Sequence, residues 1–238
     1  MSKRSNSLIL ALDVEPKDAE GLIRDLKDRI DIFKIGGRLF TALGPQGIDA
    51  AHECGARVFL DLKFHDIPLT VAESCRNAAR LGVWGLTMHA SGGFAMMKEA
   101  QEALREESKI LGIQKPLVFG VTVLTSFSHS DLKSVGIPSS PANQVKRLAL
   151  LAKKSGLDGV VASGDEIGII RKACGSKFLT AVPGIRFADG NKEDDQKRTM
   201  TPEKAVELGA DYLIVGRPIL EAEDKIQAVE KIKKVLRS

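Results

Sequence analysis

The charged residues at the ends of short apolar runs show what chemistry this chain could do. In DLKFHDIP (61–68), Asp61 and Lys63 stand two residues apart within the run RVFLDLKF (57–64), and Asp66 follows just beyond it. Lys34 lies inside a second run, IFKIG (32–36). Residues i and i+2 of a strand share one side. Asp61 and Lys63 are therefore expected to point inward if Leu60 and Leu62 pack outward against helices. Two carboxylates and two ammonium groups would then meet in one low-dielectric mouth. A structural ion-pair cluster is the plainer alternative. Desolvation cancels much of the attraction between buried charges, so such a cluster would add little stability. Four charges in one place are better explained as a functional site.

A second group reads as an anion site. Gly216 and Arg217 end the run YLIVGRPI (212–219), and Gly184 and Arg186 end FLTAVPGI (178–185) and its exit. Glycine lets backbone N–H groups approach an anion, and arginine offers a forked, charge-assisted contact. An arginine that merely caps a loop is the alternative. Asp13, Thr125 and Ser126 also stand at strand ends. His65 would share the face of Lys63 only if its strand ran on, and a loop contact is the plainer expectation. His89 either lines the pocket or is a satisfied histidine at a strand end. His52 and His129 lack a partner at metal-ligand spacing.

These residues need a scaffold that brings strand ends together. Apolar runs at 8–14, 32–36, 57–64, 85–90, 117–124, 159–163, 178–185 and 212–219 alternate with amphipathic stretches. Predicted helices occupy 38–53, 69–81, 94–110, 141–155, 165–173 and 202–209, with others after the first and last strands. Strict β-then-α alternation implies a parallel sheet covered by helices. Eight such units predict a (β/α)8 TIM barrel forming a single domain over 1–238, with a doubly wound open sheet as the alternative. Active sites in such barrels lie at the C-terminal ends of the strands. The polar stretch 188–200 lacks periodicity and is expected to be a mobile loop on that face.

Composition narrows the partners. The 238 residues carry 35 Lys plus Arg against 31 Asp plus Glu, a net charge of +4. Only 5% are aromatic, and no basic stripe interleaves with them, so nucleic acid is not an expected partner. No uncharged stretch reaches roughly 18 residues, so no membrane span is expected. The polar start MSKRSNS leads into a short apolar run interrupted by Asp13, which does not read as a signal peptide. Cys54, Cys75 and Cys174 are sparse and odd in number, which fits packing roles in a reducing, cytoplasmic setting.

The motifs together resemble the orotidine 5′-phosphate decarboxylase family. DLKFHDIP is similar to its D-x-K-x-x-D-I-P signature. LALDV around Asp13, FKIG around Lys34, VTVLTS around Thr125, VPGIR around Arg186, DDQKR around Gln196 and VGRPI around Arg217 follow in the family's order. The D-x-K-x-x-D part alone is shared with barrel enzymes acting on sugar phosphates. The resemblance implies a cofactor-free lyase that converts orotidine 5′-monophosphate to uridine 5′-monophosphate, the last step of de novo pyrimidine nucleotide biosynthesis. It implies Lys63 as proton donor within a Lys34, Asp61, Lys63, Asp66 array. Asp13 and Lys34 would touch the ribose, and Thr125 would face the pyrimidine. Arg186, Gln196, Gly216 and Arg217 would hold the phosphate. It implies no metal and a homodimer in which Asp66, Ile67 and Thr70 come from the neighbouring subunit. Ten residues separate Arg186 from Gln196, where close relatives in the family often have nine. A magnesium-dependent sugar-phosphate enzyme and a non-catalytic nucleotide binder remain the competing classes; two lysines would crowd a cation, and pure phosphate binding needs neither Asp61 nor Lys63.

Overall fold

The computed structural model describes residues 6–30, 32–187 and 198–237. Eight parallel strands close into a barrel in sequence order. β1 (Ser7–Ala11) leads to α1 (Pro16–Leu26), and β2 (Ile32–Gly36) to α2 (Gly37–Leu43) and α3 (Gln46–Glu53). β3 (Arg57–Phe64) precedes α4 (Pro68–Arg80), and β4 (Gly85–His89) precedes α5 (Gly93–Leu111). β5 (Leu117–Val121) is followed by α6 (His129–Ser134) and α7 (Pro141–Lys154), and β6 (Gly159–Val161) by α8 (Ile167–Cys174). β7 (Leu179–Val182) leads to α9 (Pro202–Glu207), and β8 (Tyr212–Val215) to α10 (Arg217–Leu220) and α11 (Lys225–Arg237). The expected (β/α)8 barrel is what the chain forms, and the open-sheet alternative is excluded by the β1–β8 pairing.

Strand alternation separates two cores. Inward residues Ile9, Ala11, Ile32, Phe59, Phe119, Ala181 and Ile214 fill the barrel. Outward residues such as Leu10, Phe33, Val58, Leu60 and Leu86 pack beneath the helices. Phe59, Trp84, Phe119 and Tyr212 meet edge-on or tilted, with centroids 5.2–6.4 Å apart. The single Trp and single Tyr therefore serve in this cluster. Gly85 makes the cluster possible: a Cβ there would lie 3.2 Å from the Phe59 ring and from the Leu117 carbonyl. With the lower barrel filled by these side chains, the inward-facing Lys34 and Asp61 sit toward the opposite, C-terminal end.

Three local differences have physical causes. The helix expected over 38–53 breaks into α2 and α3, because Gly44 adopts φ 57° and Pro45 has no amide proton. The short helix α6 arises where no helix is expected from periodicity. Ser128 caps it in a reciprocal box with Asp131. β5 ends at Val121 rather than running to 124, so Thr125 and Ser126 stand on a loop.

Candidate active site

A cleft of about 970 Å³ opens at the C-terminal ends of the strands. Asp13, Lys34, Asp61, Lys63, Thr125, Arg186, Gly216 and Arg217 all line it. Strand pairing explains the convergence. Ala11 pairs with Lys34, and Gly36 pairs with Asp61, so β1, β2 and β3 present inward residues at one height. Lys34 Nζ lies 3.4 Å from both Asp13 Oδ1 and Asp61 Oδ2. Lys63 Nζ lies 2.8 Å from the same Asp61 oxygen. The order Asp13, Lys34, Asp61, Lys63 thus alternates in sign. Gly36 leaves room for the middle of this row, since a Cβ there would come within 3.0 Å of Lys34 Nζ.

Asp61 is only 9% exposed. Burial pushes its pKa up, but the ammonium groups of Lys34 and Lys63 and hydrogen bonds from Lys63 and Thr87 outweigh that, so the net shift is downward. The carboxylate is held ionised against desolvation by two cations. Such an arrangement is poised to act on charge that develops beside it.

The anion side of the cleft is set by β7 and β8. Gly184 adopts φ 78°, and its carbonyl accepts the Met200 amide while the Arg186 amide donates to Met200. This short ladder pins the exit of β7. Arg217 begins α10 directly after β8. Two guanidinium-bearing residues therefore share the cleft with the charged row.

Comparison with known protein families shows what this chain is similar to. The model of the orotidine 5′-phosphate decarboxylase / HUMPS family matches residues 6–232. The chain belongs to this family. It is 46% identical over 226 residues to orotidine 5′-phosphate decarboxylase of Legionella pneumophila, covering 94% of this chain and 96% of that one. It is 49% identical over 228 residues to the Syntrophotalea carbinolica protein of the same name, covering 94% and 92%. Among solved structures it resembles orotidine 5′-phosphate decarboxylase from Lactobacillus acidophilus, with TM-score 0.84 and 36% identity, over 98% of this chain and all of that one.

Within the family's motif, the structure does not bring every expected residue into one subunit's cleft. Asp66, Ile67 and Thr70 are exposed on the turn and first residues of α4 and do not line it. Asp66 instead accepts the Ile67 amide at 2.6 Å. Ile67 and Leu69 are 65% and 63% exposed. Gln196 lies outside the described residues, as does most of the stretch 188–200. His89 does not line the cleft; its ring sits 5.3 Å from that of His65, at the mouth of β4.

Two residues escaped sequence reasoning. Thr87 is fully buried on β4 and donates to Asp61 Oδ1 at 2.8 Å. Its signal was a polar residue at an inward strand position between Gly85 and His89. Arg198 closes the DDQKR block and is paired with Glu166, which is 4% exposed. It also donates to the Leu124 carbonyl at 2.9 Å and the Val123 carbonyl at 3.3 Å. Arg198 thereby anchors the loop that carries Thr125 and Ser126. Burial raises the Glu166 pKa, with Arg198 opposing it. Among the described residues, no group of three or more His, Cys, Asp or Glu side chains could hold a metal ion, and no helix is long and apolar enough to cross a membrane.

Proposed function

We propose that this single-domain barrel catalyses cofactor-free decarboxylation of orotidine 5′-monophosphate to uridine 5′-monophosphate and CO2, the last step of de novo pyrimidine nucleotide synthesis. The observation that carries this reading is the alternating Asp13, Lys34, Asp61, Lys63 row in a cleft that also holds Arg186 and Arg217. Family membership supplies the substrate class.

Loss of CO2 from C6 leaves a vinylic carbanion that the pyrimidine delocalises poorly. Preorganised charge must then stabilise it. The Lys63 ammonium lies beside the developing charge and delivers the proton to C6. Asp61 holds Lys63 in place and faces the departing carboxylate. Lys34 completes the row, and with Asp13 it bonds the ribose hydroxyls. Thr125 faces the pyrimidine. Arg186, Gly216, Arg217 and Gln196 hold the phosphate, whose binding energy is far from the bond that breaks and serves to position the ring.

The reading includes a homodimer. Asp66, Ile67 and Thr70 would enter the neighbouring subunit's cleft, and the exposure of Ile67 and Leu69 on that surface supports this. It places the enzyme in the cytoplasm, a reducing compartment compatible with three free thiols.

A magnesium-dependent reaction is disfavoured by the same geometry. Both lysines crowd Asp61 Oδ2, and Thr87 bonds Oδ1, so neither oxygen is open to a cation. The test follows the fall in orotidine 5′-monophosphate absorbance with and without EDTA. Turnover should persist in EDTA, and Lys63→Ala should lose at least about 100-fold in kcat. Full activity in Lys63→Ala, or abolition by EDTA, would overturn the assignment.

A further inference from the structure

Thr87 joins the two groups on which the proposed reaction depends. A hydroxyl has one proton to give. An ionised carboxylate only accepts, so the Thr87 hydroxyl donates to Asp61 Oδ1 at 2.8 Å. Its oxygen then accepts from the backbone N–H of Lys63 at 3.0 Å. Both bonds are made by one side chain with no exposed surface.

The second bond has a structural reason. Leu60 pairs with Leu86, but the next pairing is Phe64 with Met88, so β3 carries two extra residues there. Within that bulge Lys63 takes φ 51°, the only non-glycine residue with positive φ among the described residues. A left-handed lysine is strained and persists only where surrounding contacts hold it. The Thr87 hydroxyl is such a contact, applied at the amide of the strained residue itself.

We propose that Thr87 is a positioning residue for decarboxylation, setting the orientation of the Asp61 carboxylate and the backbone turn that aims the Lys63 ammonium. This rests on the roles assigned above to Asp61 and Lys63. Thr87 touches neither substrate nor the reacting bond; it acts through its two neighbours.

The test pairs two substitutions with opposite chemistry. Thr87→Val keeps the branched shape and loses the hydroxyl, whereas Thr87→Ser keeps the hydroxyl and loses a methyl group. Positioning predicts that Thr87→Val lowers kcat by about 10- to 100-fold, the effect of deleting a buried hydrogen bond to a charged group, while KM stays within about twofold because the phosphate contacts are untouched. Thr87→Ser should restore kcat to near wild type. A purely packing role predicts the reverse order and would overturn the proposal. Wild-type kcat in Thr87→Val, with Lys63→Ala inactive, would refute the role of Thr87 alone. An active Lys63→Ala would instead refute the site assignment beneath it. Thr87→Ala serves if Thr87→Val does not fold. If neither hydroxyl-free variant folds while Thr87→Ser is normal, the hydroxyl serves folding and the proposal also falls.

Discussion

Lys63 occupies a conformation that costs a non-glycine residue about 1–2 kcal/mol. Simple alternation would place Asp61 and Lys63 on one face of an ideal strand, and the two side chains do meet, 2.8 Å apart. They meet by another route, because the bulge in β3 interrupts the pleat between them. Strain at the residue assigned as proton donor is the pattern expected where geometry matters more than stability. His89, at the end of the adjacent strand, carries a separate consequence. Burial lowers its pKa from 6.5, His65 and Lys63 lower it further, and Asp61 opposes them. Between its depressed folded value and the ordinary one, the unfolded chain binds more protons. His89 therefore contributes stability that is present above 6.5 and lost as pH falls through that window. Replacing it by Gln should flatten the decline in urea midpoint between about pH 7 and pH 5. An unchanged slope would show that its protonation is not linked to folding.

The elements divide the work between the two ends of the barrel. At the C-terminal end, loops after β1, β5, β7 and β8 bear the polar groups, and Arg198 ties the β5 loop to buried Glu166. At the N-terminal end, Arg171 of α8 bonds Asp211 at 2.5 Å, the Gly209 carbonyl at 2.6 Å and Thr180 at 3.1 Å. Asp211 also accepts the Thr180 amide at 2.7 Å. This network clamps α8 to the starts of β7 and β8. Removing one partner of a buried pair costs about 3–5 kcal/mol. Arg171→Ala should therefore lower Tm by roughly 6–20 °C for a chain of this size. Because the network lies at the end of the barrel away from the cleft, kcat measured well below the new Tm should stay near wild type. A stability change within about 0.5 kcal/mol, the range of ordinary surface substitutions, would show that the clamp is dispensable. The cysteines belong with such packing groups. Burial pushes the Cys75 thiol up to about 12 despite nearby Lys115, and burial raises Cys174 as well.

For the whole molecule, the barrel supplies one complete row of charge and leaves Asp66 outside its own cleft. If subunits share sites, mixing inactive Asp66→Asn and Lys63→Ala proteins should recover some activity, since each hybrid contains one intact site. No recovery despite confirmed subunit exchange would count against sharing. The sequence by itself determined the eightfold alternation, the inward face expected for Asp61 in the third strand and the charged residues at the strand ends. Those follow from periodicity and residue type, which are local properties. The small basic excess of the chain is not located in the cleft, whose lining among the described residues carries five basic and five acidic residues. Only the tertiary structure decided that Thr87 supports both Asp61 and Lys63, that Arg198 holds the loop before Thr125, and that β3 carries two extra residues. Each depends on which strand becomes a neighbour and at what register. That register is set by closure of the barrel and the packing of its interior, not by any short stretch of chain.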